Sequence, residues 1–230
     1  MNNLINICEN SLKRLRKMDD EKKGGTASEN LIFPQTNQAK GEKRISEQEL
    51  RLLFIEELKK IHPDLFYSIE APTIMKYSFG KTYNDIKQGG QSALLDLCIF
   101  ERKNSKYNRI LNLEFKYSNT ALKNIAKDIF KLIHEEGNGA YIHLLKNTNR
   151  GTLCNKQETG VFNKLYKSFN DHQSYWKDDS KCIQLIIMSL EQNKLIHNQI
   201  KKADLPRLKE IFFINTSCGN ITNISGKGWQ

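Results

Sequence analysis

Two short stretches decide how this chain reads: "LLDLCIF" at residues 94–100 and "LNLEFKYS" at residues 111–118. Each is an apolar, strand-like run interrupted by charge, with Asp96 in the first and Glu114 and Lys116 in the second. Side chains alternate faces along a strand, so Leu111, Leu113, Phe115 and Tyr117 share one face while Asn112, Glu114 and Lys116 share the other. In the preceding strand Leu95, Leu97 and Ile99 point one way, and Leu94, Asp96, Cys98 and Phe100 the other. An ionised carboxylate among apolar neighbours is costly unless a metal or another cation lies beside it.

The connection "ERKNSKYN" (101–108) is short and polar, which predicts an antiparallel hairpin. A register centred near Ser105 places Asp96 opposite Glu114 on one face, with Lys116 two residues along. Two carboxylates at that separation repel unless a cation lies between them, and oxygen ligands on a rigid sheet suit Mg²⁺. The competing arrangement is a cross-strand ion pair on a half-exposed sheet, which contributes little.

Working outward, "SEQELRLLFIEELKKIH" begins with Ser46 three residues before Glu49, a capping-box signature, and carries Leu50, Leu53, Phe54 and Leu58 at helical spacing until Pro63. Residues 65–73 are strand-like, and the polar, glycine-containing 75–91 segment predicts a loop or irregular hairpin. After the two charged strands, "TALKNIAKDIFKLIHEE" sets Leu122, Ile125, Ile129 and Ile133 on one helical face. Residues 139–145 predict a strand, 160–169 a helix, 182–190 a buried strand, 193–209 a helix broken by Pro206, and 210–216 a further strand. The order from Ile45 is helix, three strands, helix, strand, followed by a mixed extension: an α/β domain with helices on a sheet.

Asp96 followed by Glu114-Phe115-Lys116, on apolar strands in this order of elements, resembles the PD-(D/E)XK nuclease superfamily. The resemblance covers a restriction-endonuclease-like core (helix, three-stranded antiparallel-type sheet, helix, strand) at residues 45–146, with residues 147–230 as a mixed α/β extension. Leu95 stands where the family name has proline. The resemblance implies Mg²⁺-dependent hydrolysis of DNA phosphodiester bonds, with Mn²⁺ as a substitute metal, in a restriction or defence setting. Asp96, Glu114 and the main-chain carbonyl of Phe115 would hold the metal, and Lys116 would orient or help deprotonate the attacking water. A glutamate of the first helix completes such sites. Glu49 is favoured over Glu56, although Glu49 also serves the capping box. The alternatives are a non-catalytic nucleic-acid-binding protein of the same fold, or a junction resolvase or RNA nuclease with the same triad. Cleaving both strands of a duplex implies a homodimer.

The chain has 230 residues, with 36 Lys and Arg against 26 Asp and Glu; the formal charge of +10 favours polyanionic partners. A row of Lys123, Lys127 and Lys131 is a candidate phosphate contact, as are Gln91 and Ser92 after the Gly89-Gly90 pair; each also fits a plain solvated helix face or turn. The aromatic residues of "YKSFNDHQSYWK" (166–177) fit base stacking or the edge of a core. Five single cysteines without C-x-x-C spacing predict reduced thiols, and five isolated histidines predict no metal ligands. Residues 4–18 form an amphipathic helix able to fold back on the body or to meet a protein partner that the sequence leaves unknown, and 19–44 have linker composition. No apolar run is long enough to span a membrane and no signal-peptide pattern opens the chain, so the expectation is a cytoplasmic protein with no membrane partner.

Overall fold

A computed structural model of the chain describes residues 3–20, 30–33, 35–37, 42–149, 151–216, 219, 221–226 and 228–230. In chain order the elements are α1 (Leu4–Asp20), β1 (Gln35–Asn37), β2 (Glu42–Lys43), α2 (Glu47–Ile61), β3 (Phe66–Phe79), β4 (Ile86–Gln88), β5 (Gln91–Lys103), β6 (Lys106–Tyr117), α3 (Leu122–His134), β7 (Asn138–Leu145), α4 (Val161–His172), β8 (Cys182–Ser189), β9 (Lys194–Lys201), α5 (Leu208–Ile211) and α6 (Ile221–Ile224).

The fold is mixed α/β around a seven-stranded sheet of order β4-β3-β5-β6-β7-β8-β9. Strands β4, β3, β5 and β6 pair antiparallel, as a polar-turned meander must. Helices α3 and α4 then carry the chain across to β7 and β8, which pair parallel to their predecessors, and β9 turns back antiparallel. Strand parity sorts the apolar residues onto two faces. Leu97, Ile99, Leu113, Phe115 and Ile142 pack with α1 and α2, while Cys98, Tyr141, Leu145 and Leu185 pack with α3 and α4. The apolar face of α1 (Ile7, Cys8, Leu12, Leu15, Met18) is buried in the same core as α2, and Arg14 pairs with Glu56 and Glu57 across the two helices at 2.6 and 2.9 Å. The helix therefore lies on the body of its own chain. Among the described residues no helix is long and apolar enough to cross a membrane.

The hairpin that carries the charged residues contains a detail that sets their geometry. Asn104 and Ser105 have φ of 48° and 64°, the left-handed pair of a two-residue turn closed by Lys103 opposite Lys106. That register alone would place Asp96 opposite Leu113. A bulge intervenes: Phe100 pairs with Arg109 but Ile99 pairs with Leu111, so Ile110 is the extra residue. Beyond it Leu97 pairs with Leu113, and the same register brings Asp96 opposite Glu114.

Several elements differ from expectation. Residues 75–91 are mostly sheet, because β3 runs on to Phe79 and β4 pairs with its end; only Tyr77 and Ile86 are buried there, and an edge strand with few buried residues leaves a weak pattern. Gly90, at φ 93°, makes the turn into β5, where a Cβ would lie 2.6 Å from the Tyr77 carbonyl oxygen. Residues 194–201 are strand β9 rather than helix: Ile196 and Ile200 are buried four apart, a spacing that both periods share. Residues 210–216 are not a strand, since Phe213 and Asn215 have φ of 51° and 66° and the chain turns there to bury Phe212 against Phe162, Phe169 and Trp229. Phe169 and Trp176 are wholly buried and Tyr166 and Tyr175 pack against the same core, so this aromatic segment is core packing. Cys154 is disulfide-bonded, against the expectation of reduced thiols; sequence spacing carries no information on cysteines that the fold brings together.

Candidate active site

Strands β5 and β6 stop pairing at Leu97 and Leu113, and the charged residues sit where they part. Asp96 Oδ2 accepts the Phe115 N–H at 2.7 Å, so the carboxylate takes an amide that the ladder no longer pairs. Its other oxygen lies 3.9 Å from Arg51 Nη1 of α2, and the side chain is 25% exposed rather than sealed among apolar neighbours. The Phe115 ring points to the opposite face and packs edge-on against Phe54, which anchors the backbone between Glu114 and Lys116.

Glu114 is buried and faces α3. Lys131 Nζ lies 2.6 Å from Glu114 Oε1, donates to the Leu94 carbonyl at 2.8 Å and sits 3.3 Å from Asp128 Oδ1. Lys116 Nζ is 2.8 Å from Asp128 Oδ2 and 3.7 Å from Glu47 Oε2. The cluster thus joins four carboxylates (Glu47, Asp96, Glu114, Asp128) and three cations (Arg51, Lys116, Lys131) from α2, β5, β6 and α3. Acids outnumber cations here, the more so because Arg51 also lies 4.0 Å from the Glu70 carboxylate.

The titration behaviour follows first from burial and then from these neighbouring charges. Burial pushes the Glu114 carboxyl well above the usual range; Lys131 opposes this, while Asp128 and Asp96 add to it. Burial also raises Glu47, against the pull of Lys116. Burial alone would lower Lys116, but Asp128 and Glu47 outweigh it and hold the ammonium protonated far above neutral pH. Lys131 behaves in the same way through Glu114 and Asp128. The ionic contacts are not directional: Glu114 Oε1 and Asp128 Oδ2 are buried and accept no hydrogen bond of sound angle, close as the ammonium groups are.

Asp96, Glu114 and Lys116 are therefore brought together, and the helical glutamate beside them is Glu47. Glu49 is spent on the cap, accepting from Ser46 N at 3.0 Å, and Glu56 pairs with Arg14. The signal for Glu47 was present in its i,i+4 spacing to Arg51, which puts both on the helix face turned to the strands. Asp128 was hidden inside a helix read as a lysine row. That row does not act as one surface: Lys123 donates to the Gly80 carbonyl, Lys127 lies over the Phe79 ring at 5.2 Å, and Lys131 is buried in the cluster. Gln91 and Ser92 are exposed at the start of β5, opposite Tyr77 and Lys76. Cys98 packs beneath the site, its thiol turned to Asn112 Oδ1 at 3.5 Å and raised to about 11 by burial.

A second polar pair escaped notice in the sequence. Across the parallel β6–β7 register Tyr141 neighbours Glu114 and His143 neighbours Lys116. His143 is buried, with Nε2 2.7 Å from the Ser118 carbonyl and Nδ1 3.4 Å from the Tyr141 hydroxyl. A carbonyl only accepts, so Nε2 carries the proton and Nδ1 accepts from Tyr141. Burial holds the ring neutral, at about 4.

Among the described residues no three His, Cys, Asp or Glu side chains are arranged to hold a metal ion. The donor set itself, carboxylate and main-chain oxygens with two buried oxygens lacking directional hydrogen bonds, is of the kind a hard divalent cation takes. Protein-family models, curated proteins and solved structures give no match to this chain.

Proposed function

We propose that this protein is a Mg²⁺-dependent endonuclease of the PD-(D/E)XK type that hydrolyses DNA, in a restriction or defence setting, working as a homodimer on duplex substrates. The observation that carries the reading is the convergence of Asp96, Glu114 and Lys116 where β5 and β6 diverge, on a meander flanked by α2 and α3 and followed by parallel β7. Asp96, Glu114 and the Phe115 carbonyl would hold the metal, which when bound supplies Lewis acidity and a more acidic water. Lys116, kept protonated between Asp128 and Glu47, orients that water and offsets charge on the phosphate; it is not the proton acceptor. Arg51 steadies Asp96 from the helix. The chain's excess of Lys and Arg favours a polyanionic partner, with Lys123, Lys127, Gln91 and Ser92 as the contacts proposed.

A cleavage assay with Mg²⁺ or Mn²⁺ over duplex, single-stranded and branched DNA and RNA tests the chemistry and the substrate together. Asp96→Asn, Glu114→Gln and Lys116→Met should each abolish cutting, and full activity in all three refutes the site. One observation favours a second reading: the chain's own ammonium groups already pair two of the carboxylates, as a structural charge cluster would. Salt-sensitive DNA binding with no metal dependence and no cleavage would identify the non-catalytic binder. Cutting of branched DNA or RNA alone would identify a resolvase or ribonuclease.

A further inference from the structure

We propose that the Lys131 ammonium competes with the divalent cation for the Glu114 carboxylate, and that metal binding requires the ammonium to leave. The inference rests on the metal-dependent reading above and adds a residue that competes with the metal.

The argument starts from what surrounds the Lys131 ammonium. Its neighbours are the Glu114 carboxylate at 2.6 Å, the Leu94 carbonyl at 2.8 Å and the Asp128 carboxylate at 3.3 Å, contributed by β6, β5 and α3. Three oxygens from three elements around one positive centre form the type of shell that a hard cation takes, here filled from within the chain. The placement is particular to this lysine. Lys123 and Lys127 lie on the same helix, yet they go to the Gly80 carbonyl and the Phe79 ring.

Two positive centres cannot share Glu114 Oε1. A divalent ion on that oxygen would lie within a few ångströms of the ammonium, and at that range in a buried setting the repulsion is large. One must go, and Lys131 is on a flexible four-carbon stem from the last turn of α3, whereas Glu114 is fixed on strand β6. The ammonium supplies a countercharge to the buried Glu114. Lys131 is thus an internal placeholder that keeps the acids assembled and sets a threshold for metal entry.

Mn²⁺ serves as the probe. In the wild-type full chain, reductive methylation of lysine amines, read by mass spectrometry of the Lys131 peptide, should be at least tenfold slower at Lys131 than at exposed Lys60. Saturating MnCl₂ should raise the Lys131 rate at least fivefold and leave Lys60 unchanged. Calorimetry should find Mn²⁺ bound at least tenfold more tightly by Lys131→Met than by wild type, with no gain for Lys131→Arg, which keeps the charge. The proposal is overturned if Mn²⁺ binds and Lys131 stays protected, or if wild type and Lys131→Met bind equally; both results leave the nuclease reading standing. Absence of Mn²⁺ binding by wild type and by Lys131→Met overturns the proposal and the metal-dependent reading together. The labelling arm uses unaltered protein, so a folding defect in a variant does not blunt the test.

Discussion

Replacing Lys131 by methionine should reveal how much the central ion cluster contributes to folding. The ammonium sits 2.6 Å from Glu114 Oε1, with both groups almost wholly buried. At an effective dielectric near 20 a contact this close is worth about 6 kcal/mol of attraction, from which the desolvation of two ions must be subtracted. Breaking such a pair by removing one partner costs about 3–5 kcal/mol, because the other charge stays buried without compensation. The sign with pH follows from Glu114, whose carboxyl is already raised by burial and rises further without Lys131. A carboxyl raised in the folded state stabilises most when protonated, and that stability is lost as pH rises through its folded value. The deficit of Lys131→Met should therefore be largest at pH 7.5 and shrink toward pH 5. Urea denaturation of wild type, Lys131→Met, Glu114→Gln and the double variant forms the cycle, and the double variant should recover most of the loss at pH 7.5. A loss below about 1 kcal/mol at pH 7.5, or a double variant as unstable as Lys131→Met, would refute the buried ion pair.

Three further outcomes are expected. Glu49→Ala should cost about 1 kcal/mol by urea denaturation through the lost helix cap, with cleavage unchanged, whereas Glu47→Ala should change stability little and reduce cleavage by loosening Lys116. Deleting Ile110 removes the unpaired residue and lets Leu111 follow Arg109 directly opposite Ile99, so Asp96 stays opposite Glu114; the expected result is that cleavage and Mn²⁺ binding survive, checked by assay and calorimetry, and their loss would show that the bulge itself shapes the site. His143 titrates at about 4 when folded against about 6.5 when exposed, so protonation favours unfolding: stability is full above pH 6.5 and falls by roughly 3 kcal/mol as pH drops to 4. His143→Gln should flatten that acid-side slope in a pH series of denaturation curves, and an unchanged slope would show that the ring is not held neutral.

The sequence by itself determined the local elements whose signals are local. The Ser46 capping box, the apolar face of α3, the parity of Glu114 and Lys116 and the polar turn after Lys103 all depend on neighbours within a few residues, and each stands in the structure. Where two periods coincide, as at Ile196 and Ile200, local pattern could not choose, and pairing with β8 chose strand. The charge cluster depended on more. The register centred near Ser105 already set Asp96 opposite Glu114; the sequence did not reveal that a two-residue turn and a bulge at Ile110 together produce it. Glu47, Asp128 and Lys131 join it because α2 and α3 pack on opposite sides of the diverging strands, a relation fixed by the burial of two apolar faces rather than by any motif. Sequence named the acids and the lysine of the strands; tertiary packing decided which cations stand beside them, because ion pairs form between whatever side chains a closed core brings within a few ångströms.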